Sequence, residues 1–73
     1  MHMNELRAEI DTISGVMTAV REEIHDLENE LSELFDRNSS ETDKNKIYRE
    51  LGIQEDKYWQ LRDRRDKYIA WAN

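Results

Sequence analysis

Ten apolar side chains at alternating three- and four-residue steps, Met3, Leu6, Ile10, Ile13, Met17, Val20, Ile24, Leu27, Leu31 and Leu34, run unbroken through the first half of this chain. Such a seam is the mark of a helix that packs lengthwise against other helices in coiled-coil fashion. It fixes how the chain can bury itself before anything else about it is considered. At about 1.5 Å per residue, a helix over 4–37 is a rod roughly 50 Å long. Ser14-Gly15 is its one soft spot, because a glycine inside a helix costs about 1 kcal/mol relative to alanine. Residues 1–3 read as a tag remnant and disordered start ahead of that helix, with His2 carrying no role.

Arg37-Asn38-Ser39-Ser40 breaks the periodicity with residues that favour turns. Ser40 followed by Asp43 has the spacing of a helix N-terminal cap, so the second helix is expected to begin near Ser40 or Glu41, within a coarser division into a turn over 38–42 and a second helix over 43–73. Helices joined by so short a connection lie antiparallel. The expected fold is all-α, an antiparallel helical hairpin.

In the second half Ile47, Leu51, Tyr58, Leu61, Tyr68 and Ala72 continue a seam, with Gln54 and Arg65 at two of its positions. Tyr48, Trp59 and Ile69 form an adjoining stripe. That apolar face is wider than one helix neighbour needs. Two readings of Leu51-Gly52-Ile53 compete: a helix that runs straight through, or one that stops at Gly52 and restarts at an angle. The broken form resembles the turn of a helix-turn-helix. Its expected reading helix, however, opens on Glu55-Asp56, the wrong sign to face phosphates.

Charge separates the halves further. Between Glu22 and Asp36 there are seven acidic residues and no lysine or arginine. Parallel self-pairing of helix 1 would set Glu23 against Glu28 of the second copy, without an attractive pair. The hairpin instead is expected to bring Lys44, Lys46 and Arg49 beside Glu28, Glu30 and Glu33. A seam this long is not satisfied by one neighbouring helix. Two hairpins are therefore expected to form a four-helix bundle as a homodimer, with Ile10, Ile13, Met17, Val20, Ile24, Leu27, Leu31 and Leu34 at the oligomer interface.

Chemistry finds little to work with. The 73 residues contain no cysteine and two glycines, which excludes disulfides, thiolate sites and glycine-rich phosphate loops. A net charge of −6 opposes general nucleic-acid binding. No run of residues is apolar enough for a membrane span, so a soluble, cytoplasmic protein is expected. Glu22 and His25 have the Glu-x-x-His spacing of di-iron bundles, with Asp26 beside them. His25 falls one step past the seam and faces outward, which makes it a surface histidine. No cofactor, metal or catalytic residue is expected, and the chain does not read as an enzyme.

What remains is a surface. Tyr48, Trp59, Arg62, Arg65 and Trp71 combine the residue types enriched at interface hot spots, on the helix with the wider apolar face. The expected function is a small protein–protein interaction module: an adaptor, assembly factor or inhibitor, of the kind phages and mobile elements often encode. Its partners are a second copy and an unidentified protein. A helix-turn-helix regulator is the alternative.

Overall fold

The computed structural model describes residues 2–72 and contains two helices, α1 (Met3–Asp36) and α2 (Glu41–Ala72), packed against one another as a hairpin. Met1 and Asn73 lie outside the described residues. The molecule is a rod of 53 × 14 × 13 Å. Its radius of gyration of 16.5 Å far exceeds the about 11 Å of a compact chain of this length.

Each helix end has a local cause. His2 has extended backbone and caps α1, its Nδ1 accepting the Asn4 N–H at 3.3 Å. The expectation that residues 2 and 3 precede any structure is thereby corrected: α1 starts at Met3, because the histidine ring takes up one of the donors a helix leaves free at its N-terminus. At the other end Asn38 adopts a left-handed conformation, φ 56°. This brings the Ser39 N–H to the Leu34 carbonyl at 3.0 Å and the Asn38 N–H to that of Phe35 at 3.1 Å. The pair of bonds is a Schellman stop, and asparagine is the non-glycine residue that tolerates it best. Ser40 then caps α2 as its spacing from Asp43 predicts, its Oγ accepting the Asp43 N–H at 3.3 Å. The helix begins at Glu41, where the cap puts it and two residues ahead of the coarser 43–73 division.

The buried side chains of α1 are Leu6, Ile13, Met17, Val20 and Leu27, with Ile10, Ile24, Leu31 and Leu34 half-buried between them. In α2 the cover is uneven. Lys44, Ile47 and Leu51 are buried near the turn, whereas Gln54, Tyr58, Leu61, Arg65, Tyr68 and Ala72 are half-buried beyond it. Leu27, Ile47 and Leu51 form the core cluster, flanked by Ile24, Leu31 and Leu34. Even the best-covered core side chain, Met17, keeps 4% of its surface open. Two thin helices cannot enclose a side chain on every side.

Gly52 does not break the chain. It lies inside α2 without a positive φ, so of the two readings of Leu51-Gly52-Ile53 the straight helix is the one present. The stop would have needed glycine's left-handed conformation, and the hydrogen bonds of a continuous helix outweigh it here. A Cβ built at Gly52 meets nothing within 4 Å. Gly52→Ala should therefore raise the unfolding free energy by about 0.5–1 kcal/mol, read from thermal or urea unfolding. A loss of stability in that variant would restore the broken helix.

The expected charge pairing between helices is corrected as well. Among the described residues, the ion pairs are Arg37–Glu33 at 3.4 Å, Lys44–Glu41 at 3.8 Å, Arg62–Asp66 at 4.0 Å and Arg65–Asp66 at 3.3 Å, all local in sequence. Lys44 does not reach across to the acids of α1 because it occupies a buried position. Its ammonium sits 4.3 Å from the Phe35 ring centroid. At ~100° per residue, Lys46 and Arg49 are turned about 160° and about 140° away from Lys44, onto the outer side of α2.

Candidate interaction surface

With the seam of each helix turned toward the other, an unusual number of large apolar side chains remains outside. Met3, Val16 and Phe35 on α1 and Tyr48, Ile53, Trp59, Ile69 and Trp71 on α2 are all exposed. Five of these eight belong to α2, and their positions around that helix sort them into two edges.

Tyr48, Trp59, Arg62 and Ile69 share one edge. Trp59 is 53% exposed and meets the neighbouring Tyr58 ring edge-on, with centroids 5.9 Å apart and planes at 81°. The Arg62 guanidinium lies 5.0 Å from the Trp59 ring centroid and 4.0 Å from the Asp66 carboxylate. Stacking of this kind holds a long cation in place against an exposed indole, and contributes on the order of 0.5–1 kcal/mol at a surface. Beside the pair is a shallow depression of about 350 Å³, lined by Arg21, Ile24, Glu55, Tyr58 and Trp59. Its lining combines apolar and aromatic side chains with one charge of each sign.

Trp71 does not join them. Twelve residues from Trp59, it is turned about 120° around α2. It packs on Tyr68, with centroids 5.4 Å apart. Ile53, five full helical turns earlier, lies on the same side, and the two are 59% and 64% exposed. Lys57, Arg64 and Lys67 share this second edge, so it is basic as well as apolar. On its flank a depression of about 270 Å³ is lined by Val16, Ala19, Val20, Glu23, Gln54 and Lys57.

Arg65 belongs to neither edge. It continues the α2 seam and is half-buried, with Nε covered and without a hydrogen-bond partner among the described residues. The notch around it, about 130 Å³, is lined by Ser14, Met17, Thr18, Arg21 and Tyr58. Its Nη2 donates to the Asp66 carboxylate at 3.3 Å. Of the five side chains expected to meet a partner, the structure thus brings three together and separates the other two.

The seam residues assigned by sequence to an oligomer contact take a different place. Ile13, Met17, Val20 and Leu27 are buried within the single chain, and Ile10, Ile24, Leu31 and Leu34 half-buried. Glu22, His25 and Asp26 are exposed along α1. Among the described residues no group of three or more histidine, aspartate or glutamate side chains is arranged to hold a metal ion. None of their helices is long and apolar enough to cross a membrane. Ile69 shares the edge of Tyr48 and Trp59, as the stripe in the sequence places it, whereas sequence reasoning did not single out Glu55 or Ile53 as surface candidates. Their signal was positional, since each falls on an edge of α2 at helical spacing from an aromatic side chain that was recognised.

The chain matches no protein-family model, and neither curated proteins nor solved structures show a match to it.

Proposed function

We propose that this chain is a non-enzymatic protein–protein interaction module: a coiled-coil hairpin that displays the two edges of α2 to other protein chains, and itself associates as a homodimer. The observation that supports this reading is the set of five large apolar side chains left exposed on α2, interleaved with arginine and lysine. Tryptophan, tyrosine and arginine supply much of the binding energy at protein interfaces. The α1 seam already engages α2, so these side chains are surplus to the hairpin. Adaptor, assembly-factor and inhibitor roles all work by occupying such a surface, and none needs a pocket.

The test uses immobilised protein and native lysate of the source organism. The unmodified chain should retain a discrete protein. The Ile53→Ala/Trp71→Ala variant, on the edge turned away from Trp59, should lose it by about tenfold or more, each hot-spot truncation removing on the order of 1–2 kcal/mol, with an unchanged circular dichroism spectrum. Tight binding to duplex DNA, with affinity falling steeply as salt rises, would replace this reading by a nucleic-acid one.

A further inference from the structure

We infer that the Tyr48–Ile69 edge of α2 is covered by a second copy of this chain, running antiparallel, with the two-fold axis beside Trp59. The inference rests on the interaction-module reading and names the occupant of one of its two edges.

Four positions on this edge, Tyr48, Glu55, Arg62 and Ile69, follow one another at seven-residue steps. They form a stripe that drifts about 20° per step around the helix. Read forward, the stripe is apolar, acidic, basic, apolar. Read backward it is apolar, basic, acidic, apolar. Tyr48 with Ile69 and Glu55 with Arg62 share one midpoint, which falls between Tyr58 and Trp59. An antiparallel copy therefore sets Tyr48 against Ile69 of the second copy and Glu55 against its Arg62, and each contact occurs twice about the axis. A parallel copy would oppose Glu55 to Glu55 and Arg62 to Arg62. The stripe is complementary to itself in one direction.

All four side chains are exposed. Glu55 has no cation within 4.0 Å among the described residues, and it lines the same depression as Arg21 and Trp59. Arg62 is already held outward by its stacking on Trp59. Little side-chain freedom remains to be lost when it meets a partner.

The charge of the whole rod favours the same orientation. Residues 22–56, the half containing the turn, carry twelve acidic and four basic side chains, a net charge of −8. The other half, formed by the start of α1 and the end of α2, carries five acidic and seven basic, a net charge of +2. The boundary between halves falls where Arg21 and Tyr58 line one notch and Val20 and Lys57 another, level with the midpoint of the stripe. Two rods laid antiparallel about that level bring each acidic half beside a basic one. Laid parallel, they bring the two strongly acidic halves together.

Surface area is consistent in size. The chain exposes 5629 Å². A compact protein of its 8.8 kDa exposes about 4800 Å², so the rod carries roughly 800 Å² beyond that value. Each partner of a standard interface buries about 800 Å².

The chain's freedom from cysteine and its exposed contact residues make the test direct. Molar mass in solution is measured by light scattering or sedimentation on the full chain, singly reversed as Glu55→Arg and as Arg62→Glu, doubly reversed, and as an equimolar mixture of the two single variants. The unmodified chain should be a dimer at micromolar concentration. Each single reversal puts like charges opposite each other twice and should weaken the dimer about tenfold or more, less so in high salt. The double reversal and the mixture should both restore it, because acid again meets base. A monomer for the unmodified chain overturns the inference, as do single reversals that leave the dimer intact or a mixture that stays monomeric. A monomer that still captures a protein from lysate would overturn the dimer and leave only the partner-binding half of the interaction reading standing. A restored dimer that captures nothing would do the opposite.

Discussion

Leu27→Asp is expected to unfold the hairpin. Leu27 is 5% exposed and sits at the centre of the cluster with Ile47 and Leu51, flanked by Ile24, Leu31 and Leu34. An aspartate there has no cation among its neighbours and loses its water. Leucine truncation alone costs about 2–5 kcal/mol, and an unpaired buried carboxylate adds several more. A domain of this size has little in reserve, since a single small core seldom supplies more than about 3–5 kcal/mol. Circular dichroism at 222 nm should show loss of most helix at room temperature. A helical, cooperatively melting Leu27→Asp protein would mean that the contact between α1 and α2 is not what holds the chain folded.

Arg65→Leu is expected to act in the other direction. Arg65 continues the α2 seam, where its Nε is buried without a hydrogen-bond partner among the described residues. Its remaining link is to the adjacent Asp66, whose side chain is 54% exposed, and such surface pairs contribute at most about 1 kcal/mol. Leucine removes the cost of the unpaired donor, on the order of 1–3 kcal/mol, and fills the seam facing Met17. The melting temperature should rise by about 4–8 °C for each kcal/mol gained. If the variant melts lower instead, the arginine stem must pack better in that notch than an aliphatic side chain can.

Much of this fold is visible in the amino-acid order because few long-range choices were left open. A three–four apolar seam determines which side of α1 is covered, and Ser40 with Asp43 marks where α2 can start. Lys44 was hidden for an equally physical reason. Sequence marks it as a charge, but its long stem is apolar, so the residue is buried while its ammonium emerges over Phe35. Once Lys44 goes inward, Lys46 and Arg49 turn outward and the cross-helix charge ladder cannot form. Gly52 was ambiguous because the same residue serves both a helix stop and a tolerated interior position, and local sequence does not decide between them. The candidate surface was legible in kind more than in layout. Residue type singled out Trp59 and Trp71, whereas their separation onto two edges depends on the angle each makes with the seam, which is fixed once the seam is known.

The left-handed Asn38 that ends α1 also determines the order in which this molecule can come together. The connection between the helices spans four residues, so contacts beside it, such as those Leu31 and Leu34 make with the Leu27–Ile47–Leu51 cluster, close a short loop. Joining Leu6 to the far end of α2 first would mean confining more than sixty residues at once. The entropic cost of closure rises with the length enclosed, which makes the Asn38 bend the natural starting point. Pairing then advances along the rod like a zipper, each turn of helix adding to a contact already made. Chains dominated by such near-neighbour steps reach their native state within microseconds to milliseconds. The same bend therefore makes the hairpin quick to recover after it opens, and directs that opening to begin at the end farthest from it.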